Sequence, residues 1–402
     1  MNAPTLKDIQ SAATTLRGII KETKLIHSPV FSEESGNQVY IKPENLQETG
    51  AFKIRGAYNK ISKLPESEKK KGLIAASAGN HAQGVALAAR MAGAKCTIVM
   101  PQVTPLIKVE ATRRLGAKVV LAGDYYDQAY EKACELMDEH GYIFIHPFDD
   151  PEIIAGQGTI GIEIMEEMPD TDVIIVPVGG GGLISGIAIA AKAINPDIQI
   201  IGVEPAGASS MDYSLIKGQV SEISKVLTIA DGVATKVPGV LTFEIVRDLV
   251  DKHIVIPEED LMEAFLLLLE RHKLVAENSG ILSLSALKHL DLKGKKIVSL
   301  VSGGNIDVVT ISSMIDRGLV QRGRLFCFTV DLPDKPGELL EIVKIITTHQ
   351  ANIIKLDHNQ FKALDRLQNV QLEITLETNG HSHVNNLIDG LGKGGYSIKR
   401  IY

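Results

Sequence analysis

Val173-Ile174-Ile175-Val176-Pro177-Val178-Gly179-Gly180-Gly181-Gly182-Leu183-Ile184-Ser185-Gly186 is the stretch that decides the fold. The apolar run reads as a fully buried strand, the four glycines as a tight loop, and the residues after them as an amphipathic helix. Val173 to Ala191 carry no charge over 19 positions, close to membrane-spanning length. Pro177 and the glycines interrupt that run, so strand, loop and helix describe it better than a membrane span. Four glycines let a ligand approach the backbone, and free amides at a helix start form an anion site without side chains. No GK[ST] follows, so this is not a nucleotide P-loop, and a run of glycines carries no specific GxGxxG spacing. A phosphate group is the expected ligand.

Around this loop the chain alternates β-branched runs with helical patterns. Strands are expected at Leu73 to Ala76, Lys95 to Met100, Lys118 to Leu121, Tyr142 to His146, Asp172 to Val178, Ile198 to Glu204 and Lys296 to Ser302. Helices are expected at Ala82 to Met91, Pro105 to Leu115, Tyr125 to Glu139, Thr159 to Met168 and Leu183 to Ile194. That order predicts an α/β fold with parallel sheets covered on both faces, and ligands at the carboxyl ends of strands. Near residues 311 to 323 the pattern changes, and Arg317, Gly318, Gln321, Arg322 and Gly323 read as a linker. From Arg324 to Tyr402 the order is strand, helix, strand, strand, helix, strand, a ferredoxin-like βαββαβ.

Composition narrows the function classes. A chain of 402 residues is long enough for two or three domains, and 45% hydrophobic with 23% charged residues is globular rather than disordered. Lys plus Arg number 42 against 49 Asp plus Glu, a net charge of −7, which argues against nucleic acid as a partner. Cys96, Cys134 and Cys327 lie far apart and write neither a metal knuckle nor a disulfide framework. Lys7, Asp8 and Arg17 break any apolar leader, so no targeting segment or membrane partner is expected and the location expected is cytoplasmic.

Three further segments carry chemistry. Lys53 lies beside Phe52 between Gly50 and Gly56; a lysine there forms a Schiff base if its pKa is lowered, although the residues alone favour an ordinary surface lysine. Ser77-Ala78-Gly79-Asn80-His81, at a strand end, offers amides, a hydroxyl and a side-chain amide to a carboxylate or ring oxygen. Val301-Ser302-Gly303-Gly304-Asn305 ends another strand with one hydroxyl.

In this order the segments KPENLQETGAFKIRGA, SAGNHAQGVA, HPFDD, GQGTIGIEI, VPVGGGGLISG, VEP, ADGVA and VSGGNID resemble the fold-type II pyridoxal-phosphate enzymes, in their threonine ammonia-lyase and serine racemase branch. The resemblance covers about residues 1–320. It implies a tryptophan synthase β-like fold with two parallel-sheet subdomains, the smaller of about residues 55–150 inserted in the larger. It further implies pyridoxal 5'-phosphate as cofactor and a small amino-acid substrate, L-threonine or L-serine. Lys53 matches the lysine that carries the cofactor and Phe52 the aromatic beside its ring. Asn80 matches the asparagine at the ring oxygen, Ser302 the residue facing the pyridine nitrogen, and Glu277 a glutamate near the ring. Gly179, Gly180, Gly181, Gly182 and Leu183 match the phosphate cradle; Ser77, Ala78, Gly79, Asn80 and His81 match the loop that receives the substrate carboxylate.

Two departures bear on the reaction. Ala51 replaces the serine usual before the aromatic and leaves the lysine chemistry intact. Ala78 stands where racemases carry a serine that acts as the second-face base; alanine has no titratable group, which favours one-sided elimination over racemisation. Glu204 and the carbonyl of Ala208 resemble the divalent-cation site of some relatives, but Ser210 replaces the expected carboxylate, so no metal is expected. Residues 324–402 resemble the ACT regulatory domain. Gly337 and Pro336 at a helix start, with Asp334 beside them, are its expected effector site, and such domains pair across chains, so a homodimer or homotetramer is expected. The expectation is conversion of L-threonine to 2-oxobutanoate and ammonia, with L-serine to pyruvate as a side activity. The rivals are a serine racemase or dedicated serine dehydratase, and a catalytically silent amino-acid sensor. The effector's identity stays open: isoleucine or valine inhibition would mark a biosynthetic role, nucleotide activation a catabolic one.

Overall fold

The computed structural model describes residues 2–359 and 369–402. The chain separates into two compact units, Met1–Ile306 and Asp307–Tyr402.

The first unit holds two sheets. The larger runs in the order Ile26–His27, Gln38–Pro43, Lys296–Val301, Val173–Pro177, Gln199–Pro205, Lys252–Ile256; its first pair is antiparallel and the rest are parallel. Val173–Pro177 is buried throughout, and Lys296–Val301 in all but its first residue, as expected for central strands covered on both faces. These two strands are neighbours, so the glycine loop after one and Ser302-Gly303-Gly304-Asn305 after the other open at the same sheet edge. The smaller sheet is wholly parallel, in the order Lys118–Leu121, Cys96–Met100, Leu73–Ala76, Ile143–Phe144. Its central strand Leu73–Ala76 leads into Ser77-Ala78-Gly79-Asn80, and Ile143–Phe144 leads into the HPFDD segment.

The helix Pro151–Glu167 ties the two halves of the site together. It packs against the helix Lys53–Ser62 on one side and Gly182–Ile194 on another, through pairs of glycines. A Cβ at Gly156 would lie 2.6 Å from the Cα of Gly56, and one at Gly186 would lie 2.3 Å from the carbonyl oxygen of Ile154. Only glycine lets these helices approach so closely, and the approach sets the lysine helix and the loop helix at fixed places on one support.

Beneath Lys53 lies a buried ion network. Arg55, fully buried, donates to both oxygens of Glu44 at 2.8 Å and to both of Glu163 at 2.5 and 2.9 Å. Lys42 adds a 2.6 Å bond to Glu163 and donates to the carbonyl of Thr23. Two cations thus face two anions, which satisfies the groups that burial would otherwise leave uncompensated.

The second unit begins with the helix Val308–Gln321, followed by strand Leu325–Pro333, helix Glu338–Thr348, strands Asn352–Asn359 and Asn369–Glu377, helix His381–Lys393 and strand Ile398–Arg400. The four strands form an antiparallel sheet whose second, third, first and fourth members lie side by side, the ferredoxin-like order. Phe326, Phe328, Leu372, Ile374, Ile342 and Leu387 are the centre of its core.

Two expectations are corrected here. Residues 311–321, read as a linker, lie inside the helix Val308–Gln321, which belongs to the second unit; its stripe of buried residues is only Met314 and Gly318, too thin to stand out against the exposed Val308 and Val309. Pro336 does not start a helix: Gly337, at φ +102°, is the N-cap and the helix begins at Glu338. Among the described residues no helix is long and apolar enough to cross a membrane.

Candidate active site

The carboxyl ends of the central strands border a cavity lined by Phe52, Lys53, Asn80, Pro147, Phe148, the glycine loop Gly179 to Gly182 with Leu183, Glu277, Ser279 and Ser302, among others. Lys53 opens its helix and sends its amine into this space, donating to the carbonyl of Pro147 at 2.9 Å. The amine lies 5.2 Å from the centroid of the Phe52 ring. Burial pushes the Lys53 ammonium down to about 8, with the Glu277 carboxylate opposing. An amine with that pKa is in part a free nucleophile and base near neutrality, which an exposed lysine is not.

Opposite stands the glycine loop. Gly182 opens the helix Gly182–Ile194 with Gly181 as N-cap at φ +93°, a conformation side chains resist. The first-turn amides of that helix have no intrahelical acceptor and are aligned for an anion. The loop is held from outside: the Thr242 hydroxyl donates to the carbonyl of Gly180 at 2.6 Å, and a Cβ on Gly180 would lie 2.3 Å from the Phe148 ring.

A chain of amides and a carboxyl makes up the third wall. Asn305 donates to the carbonyl of Thr49 at 2.7 Å and to the Asn80 side-chain oxygen at 2.8 Å; Asn80 donates to Glu277 at 2.6 Å. Burial pushes the Glu277 carboxyl up to about 8, with Asp231 adding to it, while the Asn80 hydrogen bond, Lys108 and Lys53 pull back. Ser302 lies buried on the cavity wall, and the Phe52 amide donates to its carbonyl at 3.1 Å. Ser279 Oγ and Gln157 Nε2, also on the wall, are buried with no hydrogen-bond partner among the described residues.

An amine for covalent attachment, an anion cradle without side chains, an aromatic, a hydroxyl and unpartnered polar atoms facing one cavity fit pyridoxal phosphate, a planar ring bearing an aldehyde, a hydroxyl, a ring nitrogen and a phosphate. Comparison with known proteins agrees. Residues 16–303 match the family model described as pyridoxal-phosphate dependent enzyme. The chain belongs to this family.

Relatives are close, and one extends over nearly the whole chain. An L-threonine ammonia-lyase of Thermotoga maritima is 47% identical over 396 residues, covering 98% of this chain and 99% of that protein. A catabolic L-threonine dehydratase of Escherichia coli is 46% identical over 313 residues, 77% of this chain and 95% of that one. Among solved structures, the processed threonine deaminase isoform 2 of Solanum lycopersicum superposes with a TM-score of 0.75 at 39% identity, covering 79% of this chain and 90% of that one. Maize serine racemase gives 0.75 at 35%, covering 80% and 100%. Fold-type II architecture and use of pyridoxal phosphate follow for this pyridoxal-phosphate dependent enzyme.

The expected site residues fall unevenly around the cavity. Phe52, Lys53, Asn80, Gly179, Gly180, Gly181, Gly182, Leu183, Glu277 and Ser302 all line it. Ser77, Ala78 and Gly79 are half-buried on the loop just before Asn80, with the Gly79 amide donating to the Ser77 hydroxyl at 3.2 Å. The His81 ring points elsewhere: it is buried, bonded through Nε2 to the carbonyl of Ile145 at 2.9 Å, and pushed down to about 3 by burial and by Lys53. What His81 offers the loop is its backbone amide in the first turn of helix Asn80–Met91. Glu204 is buried and accepts from the amides of Met211 and Asp212 at 3.0 and 2.8 Å, capping the helix Ser210–Lys217; burial pushes it up to about 7. Asp334, Pro336 and Gly337 sit exposed in the second unit. Ser279, Gln157, Pro147 and Asn305 carry no signal of their own in the sequence, although Gln157 lies in GQGTIGIEI, Pro147 in HPFDD and Asn305 in VSGGNID.

Proposed function

We propose that this enzyme deaminates L-threonine to 2-oxobutanoate and ammonia, and L-serine to pyruvate as a side activity. The observation that carries the proposal is the Lys53 amine, held near 8 by burial and sharing one cavity with the glycine loop. The relatives named as L-threonine ammonia-lyase or dehydratase support the choice of substrate.

Bound in this cavity, the cofactor would supply an aldehyde that captures an amine and a ring that draws electrons from the α-carbon. Lys53 would hold it at rest and, once displaced by the substrate amine, take the α-proton at its Nζ. The amides from Gly179 to Leu183 would hold the phosphate without an Arg or Lys, so it need not be a dianion. Asn80, kept in place by Asn305 and Glu277, would donate to the ring oxygen. Ser302 would face the ring nitrogen with a neutral hydroxyl; no anion there keeps that nitrogen protonated, which favours prompt loss of the β-hydroxyl over longer-lived carbanion chemistry. The loop Ser77, Ala78, Gly79, Asn80 and His81 would take the substrate carboxylate on its amides. Ala78 can return no proton to the opposite face, which supports a lyase over a racemase despite the likeness to maize serine racemase.

The sheet from Leu73 to Phe144 supports a smaller subdomain of about residues 55–150 within a catalytic domain. The ferredoxin-like order of the second unit is consistent with an ACT-like regulatory domain, whose effector site would include Asp334, Pro336 and Gly337. Pairing of such domains would make the enzyme a homodimer or homotetramer of the cytoplasm. Incubation with L-serine separates the readings: the proposal expects pyruvate without D-serine, and D-serine as main product would overturn it.

A further inference from the structure

The HPFDD segment, residues 146–150, touches both halves of the site, and the chemistry above gives it no role. Its Pro147 carbonyl accepts the Lys53 amine at 2.9 Å. The Phe148 ring lies under Gly180, and the Phe148 carbonyl oxygen would be 2.7 Å from a Cβ on Gly182. Asp149 accepts from the amides of Val240 and Thr242 at 3.0 and 3.1 Å, and Thr242 in turn holds the Gly180 carbonyl. Three consecutive residues therefore fix the lysine and the phosphate cradle relative to one another, and their turn must itself be fixed.

His146 is what fixes it. Its Nδ1 accepts from the Asp149 amide at 2.8 Å and from the Phe148 amide at 3.3 Å, closing the turn on a single ring atom. Its ring meets the Phe148 ring edge-on, centroids 4.8 Å apart at 87°. An Nδ1 that accepts has no proton, so the ring is neutral with its proton on Nε2. Burial keeps His146 below its ordinary value, Lys53 acts in the same sense, and Asp149 and Asp150 oppose.

We propose that His146 is a positioning residue: as a neutral Nε2–H imidazole it caps the 147–149 turn and so sets the Lys53 amine and the glycine loop at the spacing the cofactor needs. Its consequence for cofactor binding rests on the pyridoxal-phosphate site described above; its tautomer does not. Asparagine can place Oδ1 where Nδ1 stands, whereas glutamine places its oxygen one bond further out and alanine places nothing.

The test has two readouts. In the cofactor-free protein with 15N-labelled histidine, the resonances that vanish in His146→Asn should report a protonated Nε2 and a pyridine-like Nδ1; a proton on Nδ1 would overturn the proposal. Titration with pyridoxal phosphate should then give Kd values within about threefold of wild type for His146→Asn, and weakened about tenfold or more for His146→Gln and His146→Ala, the loss expected when a half-buried acceptor to two amides is removed. Folded glutamine and alanine variants that bind within threefold of wild type would overturn it. If those variants do not fold, the tautomer measurement on the native protein decides. A wild type that binds no pyridoxal phosphate would instead refute the cofactor site and leave the tautomer result standing.

Discussion

Gly180→Ala tests whether the cradle is held as tightly as the coordinates say. A Cβ there would lie 2.3 to 2.4 Å from three atoms of the Phe148 ring. Ordinary contact is about 3.4–4 Å, so loop and ring must separate by about 1 Å, and overpacking of this kind costs about 1–3 kcal/mol. In a unit of about 300 residues that lowers Tm by about 1.5 °C per kcal/mol. A shift of about 1 Å also stretches an amide-to-phosphate bond past the hydrogen-bond limit, and each charge-assisted bond lost is worth about 1.5–3 kcal/mol. Pyridoxal phosphate should therefore bind about 10–100-fold more weakly. The assay is a thermal melt of the cofactor-free protein, a cofactor titration by absorbance, and the same pair of measurements on Phe148→Ala and the double variant. With the ring gone the added methyl meets little, so the double variant should recover about 1–2 kcal/mol relative to the sum of the single changes. Unchanged Tm and Kd in Gly180→Ala, or strict additivity in the cycle, would refute the reasoning.

Lys53→Ala should abolish turnover and the Schiff-base absorbance together; a variant keeping both would remove Lys53 from its role. Glu277→Gln deletes the carboxylate that partly supports the Lys53 ammonium, so the amine should lose its proton at lower pH than the native value of about 8. The rate of Lys53 acylation against pH in the cofactor-free protein reads this directly, and a midpoint moving upward would reverse the assigned sign. Glu44→Gln leaves Arg55 and Lys42 facing only Glu163, and breaking one side of a buried pair costs about 3–5 kcal/mol, so the urea midpoint should drop clearly. A midpoint within error of native would show that the network carries no such load.

What could be read from sequence divides along physical lines. The glycine loop was legible because strand, loop and helix each leave a local mark at Val173–Pro177, Gly179 to Gly182 and Leu183 onward, and the structure keeps all three. The strands Leu73–Ala76 and Lys118–Leu121 came out to the residue for the same reason. Gln38–Pro43 was missed because Lys42 sits in it; a buried lysine makes sense only once Glu163, 121 positions away, is seen beside it. Lys252–Ile256 was missed because an edge strand with exposed and half-buried residues shows no clean alternation. At the site, residue types announced the amine, the cradle and the hydroxyl. Orientation is not local: nothing in the sequence says that the His81 ring turns to Ile145, or that Ser279 Oγ and Gln157 Nε2 lie on the cavity wall with no partner among the described residues while Gln157 Oε1 accepts from the Gly56 amide. The bent path of 146–150, which sets Pro147 against Lys53, Phe148 against Gly180 and Asp149 against Val240 and Thr242, is likewise set by tertiary packing.

The most direct test of the central claim is release of 2-oxo acid from L-threonine by the purified protein supplied with pyridoxal phosphate. The account predicts 2-oxobutanoate and ammonia in equal amounts; a protein that binds the cofactor yet forms neither would contradict it.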